Sequence, residues 1–71
     1  MFAKFKTLID CEVEIIENFD VSTETVDSTI DCFKKDETFE AELITILDGE
    51  YEIQFFDGTV AYLDKEHFEV L

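Results

Sequence analysis

Glutamates separated by a single residue are the groups in this chain whose type and spacing could do chemistry. The pairs are Glu12 with Glu14, Glu40 with Glu42, and Glu50 with Glu52. In a β-strand, alternate side chains project from the same face, roughly 6.6 to 6.8 Å apart. Such rows can pair with lysine and arginine side chains or bind hard metal ions. The sequence therefore predicts rows of negative charge that attract cationic groups.

A further acidic stretch lies between residues 17 and 33. It contains Asp20, Glu24, Asp27 and Asp31 among serines and threonines, and it has no basic residue. The whole chain has 19 acidic residues against 5 lysines, for a formal net charge of -14. Repulsion at this charge density destabilises a compact state. We therefore expect a cationic partner to bind these carboxylates and those of the three glutamate pairs.

Residues suited to catalysis are few. His67 follows Glu66 and could form a general base with it, but a histidine in a polar turn is more often structural. Cys11 and Cys32 lie among acidic residues, whereas a nucleophilic thiolate needs a basic neighbour. We therefore expect no catalytic residue, and we expect both cysteines to stay reduced and pack as small apolar side chains. A disulfide between them is the alternative.

Metals and nucleic acids are both disfavoured as ligands. Calcium sites concentrate several oxygen ligands in one short loop, and neither Asp48-Gly49 nor Asp57-Gly58 has that density. Direct binding of DNA or RNA requires a lysine and arginine footprint, which five scattered lysines cannot provide. We expect no dedicated metal site, no cofactor and no direct nucleic-acid binding.

The N-terminal residues and the apolar segments bear on location. No apolar run approaches the roughly 20 residues that a membrane span needs. Residues 1–6 lead into an alternating pattern instead of the apolar core of a signal peptide. We therefore expect a cytoplasmic protein that does not bind a membrane.

Alternation of polar and apolar residues predicts that strands carry the glutamate pairs. Residues 17–33 are predicted as a long loop with room for an irregular strand pair. Glu40 and Glu42 are expected to face Glu50 and Glu52 across neighbouring strands, where opposed like charges destabilise a sheet. The predicted strands are residues 5–15, 38–46, 51–55, 59–63 and 68–71.

Turn residues complete the predicted fold, which is a single domain over residues 1–71. Asp57-Gly58 predicts a tight hairpin with positive φ at both turn positions, and residues 64–67 predict one helical turn. The fold class is all-β, a small barrel of about five antiparallel strands with that turn before the last strand. A domain of this size buries only roughly 60% of its unfolded surface, so a homodimer would add stability.

The order of these elements resembles an SH3-like barrel. Residues 17–33 occupy the position of the RT loop, residues 34–37 that of the diverging turn, and Asp57-Gly58 that of the distal hairpin. The segment of residues 54–62, Q-F-F-D-G-T-V-A-Y, is also similar to the Q-F-x-D-G-x-x-A segment of small barrel proteins common in phage genomes. The resemblance implies an architecture and no activity.

A small acidic barrel without catalytic residues resembles phage-encoded DNA-mimic inhibitor proteins, which occupy the DNA-binding surface of a host protein. The resemblance implies a basic DNA-binding partner in the host cytoplasm, with an HU-type nucleoid-associated protein as the best guess. Two steps along one strand of B-form DNA span about 6.8 Å, similar to the glutamate spacing. The alternative is a non-catalytic interaction or structural module of a phage or mobile element, whose acidity serves solubility.

Overall fold

The computed structural model describes residues 1–20 and 22–71, and of Phe19 and Asp20 it describes the backbone alone. Seven antiparallel strands form one sheet in the order β3-β2-β6-β5-β4-β1-β7. The strands are β1 (Phe2–Thr7), β2 (Cys11–Asp20), β3 (Thr25–Phe33), β4 (Thr38–Ile46), β5 (Glu50–Gln54), β6 (Val60–Asp64) and β7 (Phe68–Val70).

The sheet curls on itself, which confirms the predicted small all-β barrel. Strands β3 and β7 stand at opposite ends of the strand order. Even so, the rings of Phe33 and Phe68 meet edge to face with centroids 5.6 Å apart. A long hairpin after β1, a β4-β5-β6 meander and the return of β7 to β1 give SH3-like connectivity.

Aromatic rings fill the barrel. Phe5 stacks on Phe39 at 5.5 Å, and Phe39 also contacts Phe33 at 5.2 Å and Phe68 at 6.0 Å. Full burial of a phenylalanine side chain contributes about 1.5 to 3 kcal/mol, so this cluster opposes the repulsion between surface carboxylates. The buried apolar residues are Phe5, Val13, Ile15, Ala41, Ile53, Ala61, Leu63 and Phe68.

The predicted first strand, residues 5–15, is wrong as a single element. It is divided into β1 and β2 by residues 8–10, where Leu8 N–H donates to the carbonyl of His67 at 2.8 Å. The division lets β1 pair with β4 and β7 while β2 pairs with β3 and β6. The predicted long loop is mostly the β2-β3 hairpin, which is the irregular strand pair for which the prediction left room, and this hairpin raises the strand number to seven.

Two turns also differ from the prediction. Within the described residues Gly58 has φ +90°, but Asp57 does not have positive φ. Gly58 N–H donates to Phe55 C=O at 3.0 Å, so the hairpin is a type I turn followed by a left-handed glycine. Residues 64–67, predicted as one helical turn, form a non-helical turn that is closed by His67 N–H donating to Asp64 C=O. Across residues 1–20 and 22–71, no helix has the length and apolar character needed to cross a membrane.

The hydroxyl oxygen of Thr7, Oγ1, is buried and has no hydrogen-bond partner. Among the described residues, it is the one buried polar side-chain atom in this situation. A buried hydroxyl without a partner costs free energy because its bonds to water are lost.

We expect Thr7→Val to raise the free energy of unfolding by about 1 kcal/mol, measured by urea denaturation. The matched change Thr38→Val, at an exposed position of β4, should have little effect. Equal or lower stability of Thr7→Val would contradict this assignment.

Candidate protein-interaction surface

The outward side of the barrel is defined by one row of residues across five strands. Ile16 lies opposite Val60, Val60 opposite Gln54, Gln54 opposite Glu42, and Glu42 opposite Phe2. Directly opposed residues share a face of a sheet, and so do alternate residues of one strand. On these strands, this row and the alternation of side chains together show which of the neighbouring residues point outward and which point inward.

The three glutamate pairs all lie on this outward side. We define the acidic face as the set of outward-pointing carboxylates on β2, β6, β5 and β4. The predicted members are thus brought together, and Asp64 joins them because it lies opposite Glu50. Sequence reasoning missed Asp64, although its alternation with Tyr62 in the returning strand was a usable signal. The acidic face consists of Glu12, Glu14, Glu40, Glu42, Glu50, Glu52 and Asp64.

The expected opposition of Glu40 and Glu42 to Glu50 and Glu52 is wrong. Glu42 lies opposite Gln54, and Glu40 lies opposite Lys4 on β1. A register shift between Leu43 and Thr45 places Thr45, not a glutamate, opposite Glu52. The carboxylates of β4 therefore lie diagonally to those of β5, whereas Glu50 of β5 lies directly opposite Asp64 of β6.

Lysines border the acidic face at its β4 margin, where Lys4 lies opposite Glu40. Strands β2 to β6 contain none, since Lys4 and Lys6 lie on β1 and the other three lie in turns. Among described residues the ion pairs are the N-terminal amine with Glu42 at 3.4 Å and Lys6 with Asp36 at 3.7 Å. Only the β4 margin of the acidic face is therefore partly neutralised.

The acidic residues of the β2-β3 hairpin do not all join the acidic face. Asp31 lies opposite the inward Val13, and Asp27 shares its side of β3 by alternation. Glu24 lies in the turn at the hairpin tip, with φ +55°. The backbone of Asp20 pairs with Thr25, while its side chain lies outside the described part of the chain. Of the ten predicted carboxylates, six thus belong to the acidic face, Asp27 and Asp31 lie on the other side of the hairpin, Glu24 lies at its tip, and Asp20 is described by its backbone alone.

Asp31 faces an open groove of about 510 Å³ between the hairpin and the β5-β6 turn, which we call the hairpin groove. Its apolar floor combines residues from both elements, and three carboxylates stand around it. Sequence reasoning missed this groove because its two sides are more than 20 residues apart in the chain. The lining residues are Ile15, Glu17, Thr29, Asp31, Phe33, Phe55, Phe56, Asp57 and Thr59.

Two carboxylates of the hairpin groove are held in place. Thr29 Oγ1 donates to Glu17 Oε1 at 3.4 Å. Thr59 donates to Asp57 Oδ1 from its hydroxyl at 2.6 Å and from its N–H at 3.0 Å. These bonds lower the pKa of Asp57, because they favour the ionised form.

The cysteines point to opposite faces of the hairpin. Cys11 lies opposite Phe33, whereas Cys32 lies opposite Glu12 of the acidic face. Both thiols are free. Burial raises the pKa of Cys11, and the nearby charges of Asp10 and Asp64 add to the effect. Opposed side-chain directions exclude the alternative of an intramolecular disulfide in this fold.

Neither the family models, nor the curated proteins, nor the solved structures contain a match to this chain.

The hydrogen bonds to Asp57 give a pH-dependent expectation. Because its folded-state pKa is lowered, its contribution to stability is present above the unfolded-state pKa and is lost as the pH falls through the folded value. We expect Thr59→Val to bring the pKa of Asp57 up towards its ordinary value, as followed by NMR titration of the side-chain carboxyl carbon. Thr45→Val is the matched control. An ordinary Asp57 pKa in the unaltered protein would contradict these two hydrogen bonds from Thr59.

The thiols should differ in reactivity. In the native protein at neutral pH, Cys32 is exposed and should react with iodoacetamide faster than the half-buried Cys11, whose raised pKa leaves less thiolate. Mass spectrometry of the single variants Cys11→Ser and Cys32→Ser measures each rate. Unfolding in urea should remove the difference. An intramolecular disulfide between Cys11 and Cys32 in protein purified without reductant, identified by mass spectrometry, would refute the opposite-face placement.

Proposed function

We propose that this protein is a DNA mimic, which occupies the basic DNA-binding surface of a host protein in the cytoplasm of a phage-infected cell. Its best-matched target is an HU-type nucleoid-associated protein, because distributed negative charge is all that such a surface requires. The observation that carries the proposal is the acidic face, seven carboxylates on four adjacent strands that contain no lysine.

The physical basis is the exchange of one polyanion for another. Adjacent strands lie about 4.8 Å apart, so four strands spread the acidic face over roughly 14 Å across the sheet. Carboxylates on this face pair with the lysines and arginines that otherwise contact phosphates. Association is then fast at low ionic strength and weakens steeply as salt rises.

An exposed aromatic pair adjoins the acidic face and supplies an apolar contact. Phe2 and Phe56 stack with ring centroids 5.0 Å apart, and they are 56% and 76% exposed. Phe2 lies directly opposite Glu42. Apolar burial is insensitive to screening of charges, so this pair gives the complex a salt-resistant component that depends on the shape of the target.

The test is displacement of duplex DNA from a purified HU-type protein, followed by electrophoretic mobility at two salt concentrations. We expect the unaltered protein to release DNA, with a much weaker effect at the higher salt. The variant Glu12→Gln/Glu50→Gln/Glu52→Gln should need roughly tenfold more protein for the same release, because three carboxylate contacts are lost. Its matched control, Asp48→Asn/Glu66→Gln/Glu69→Gln, removes as many charges from outside the acidic face.

Equal losses in both triple variants would show that net charge alone acts and would refute a specific face. DNA that stays bound at a large molar excess, for HU and for other basic DNA-binding proteins, would end the DNA-mimic proposal.

The exposed aromatic pair also favours a second candidate function, a non-catalytic interaction module whose acidity serves solubility. Partner binding would then survive high salt and depend on Phe2 and Phe56. The double variant Glu40→Gln/Glu42→Gln would have little effect on that binding, whereas Phe56→Ala would reduce it. The DNA-mimic function predicts losses for both changes and a strong salt dependence.

A further inference from the structure

Strand β3 leaves one edge of the sheet open. Its nine residues pair with β2 alone, and no backbone hydrogen bond of the described residues reaches its other side. In an edge strand, alternate residues direct their N–H and C=O groups away from the neighbouring strand. These groups can pair with an added strand.

Of the usual protections of such an edge, β3 has only charged side chains, Asp27 and Asp31. Natural edge strands carry charged residues, lysine above all, or proline, contain bulges, or are very short. β3 has neither lysine nor proline, and the irregularity of the hairpin lies on β2, at Glu17. The edge is therefore long, regular and chemically open.

A strand added along β3 would meet a different chemistry on each side. Asp27, Thr29 and Asp31 lie on the side of the hairpin groove, by their alternation along β3. Val26 and Ile30 lie on the other side and are 48% and 57% exposed. An added strand that alternates basic and apolar residues matches both sides.

The hairpin groove suits arginine in particular. Phe33 and Phe55 contribute to its apolar floor, while Glu17, Asp31 and Asp57 provide negative charge, and no lysine lines it. An arginine side chain can lay its aliphatic stem and guanidinium plane on aromatic rings while its N–H groups reach carboxylates. Charge complementarity therefore identifies a basic segment as the occupant.

A second copy of this chain is a poor occupant for the same edge. Residues 11–33, which form the hairpin, contain seven acidic residues and no basic one. Pairing of two hairpins would bring two such sets together, and like charges across strands are destabilising.

We propose that the free edge of β3 binds an extended basic segment of a partner protein by strand addition. Arginines at alternate positions of that segment enter the hairpin groove, and the apolar residues between them lie beside Val26 and Ile30. The proposal rests on the open edge and the groove, and it holds whether or not the protein mimics DNA.

The probe is the peptide acetyl-(Arg-Val)₄-amide, titrated into the intact protein by calorimetry at physiological salt, with hydrogen exchange of the β3 amides followed by NMR. We expect binding that slows exchange of alternate β3 amides. Two further peptides are methylated on backbone nitrogen atoms. One carries the methyl groups on all arginines, and the other carries them on all valines. Strand addition predicts that one of the two binds at least roughly tenfold more weakly, because its N–H donors to β3 are gone, while the other is little changed.

Protein variants supply the matched comparison. Asp27→Asn/Asp31→Asn should weaken binding of the peptide about tenfold, whereas Glu12→Gln/Glu14→Gln, on the opposite side of the same hairpin, should weaken it far less. Neither aspartate makes a hydrogen bond or ion pair in the described structure.

Three results would overturn the proposal. Equal binding of both N-methylated peptides would show attraction by charge without strand addition. Equal losses in the two double variants would remove the role of the groove. Concentration-dependent self-association that protects the β3 amides would assign the edge to a second copy. None of these results bears on displacement of DNA from an HU-type protein, so the two proposals fail separately.

Discussion

Attachment of the β2-β3 hairpin to the barrel depends on two backbone residue pairs, Ile15 with Ala61 and Ile16 with Val60, and on the ring of Phe33, which packs against Phe39 and Phe68. The inward members, Ile15 and Ala61, are buried, so packing reinforces a short backbone contact. Without this contact the carboxylates of β2 would not be continuous with those of β6 and β5, and the hairpin groove would lose one side. Both candidate binding surfaces therefore depend on this small junction.

The two sides of the hairpin use negative charge differently. On the acidic face, carboxylates stand on four curved strands without lysine and point outward, which suits a broad cationic surface. In the hairpin groove, Asp31 and Asp57 stand beside the exposed Phe56 and the half-buried Phe33 and Phe55, which suits individual arginines. This division would permit one small domain to bind a basic partner in two places at once, with the acidic face on the partner's surface and the hairpin groove on an extended segment of the partner.

Alternation in the sequence was sufficient to predict β4, β5, β6 and β7 and the shared direction of each glutamate pair. It failed at Glu17 and near Ile44, where a single extra residue shifts the register, because such a bulge changes pairing without changing composition. The break at Leu8 was also missed, since apolar residues continue through it and the hydrogen bond to His67 is non-local. The hairpin groove required the fold, because sequence patterns do not report which distant segments meet.

The open edge of β3 has a consequence for the history of this chain. A long, regular edge strand is a template on which further copies could polymerise into cross-β fibrils. Asp27 and Asp31 act as gatekeepers against that outcome, because every added copy would bring its own repulsive charges. Part of the acidity thus protects this protein from aggregation. Substitutions that remove the charge of these two aspartates would be selected against in a crowded cell even if no partner were present.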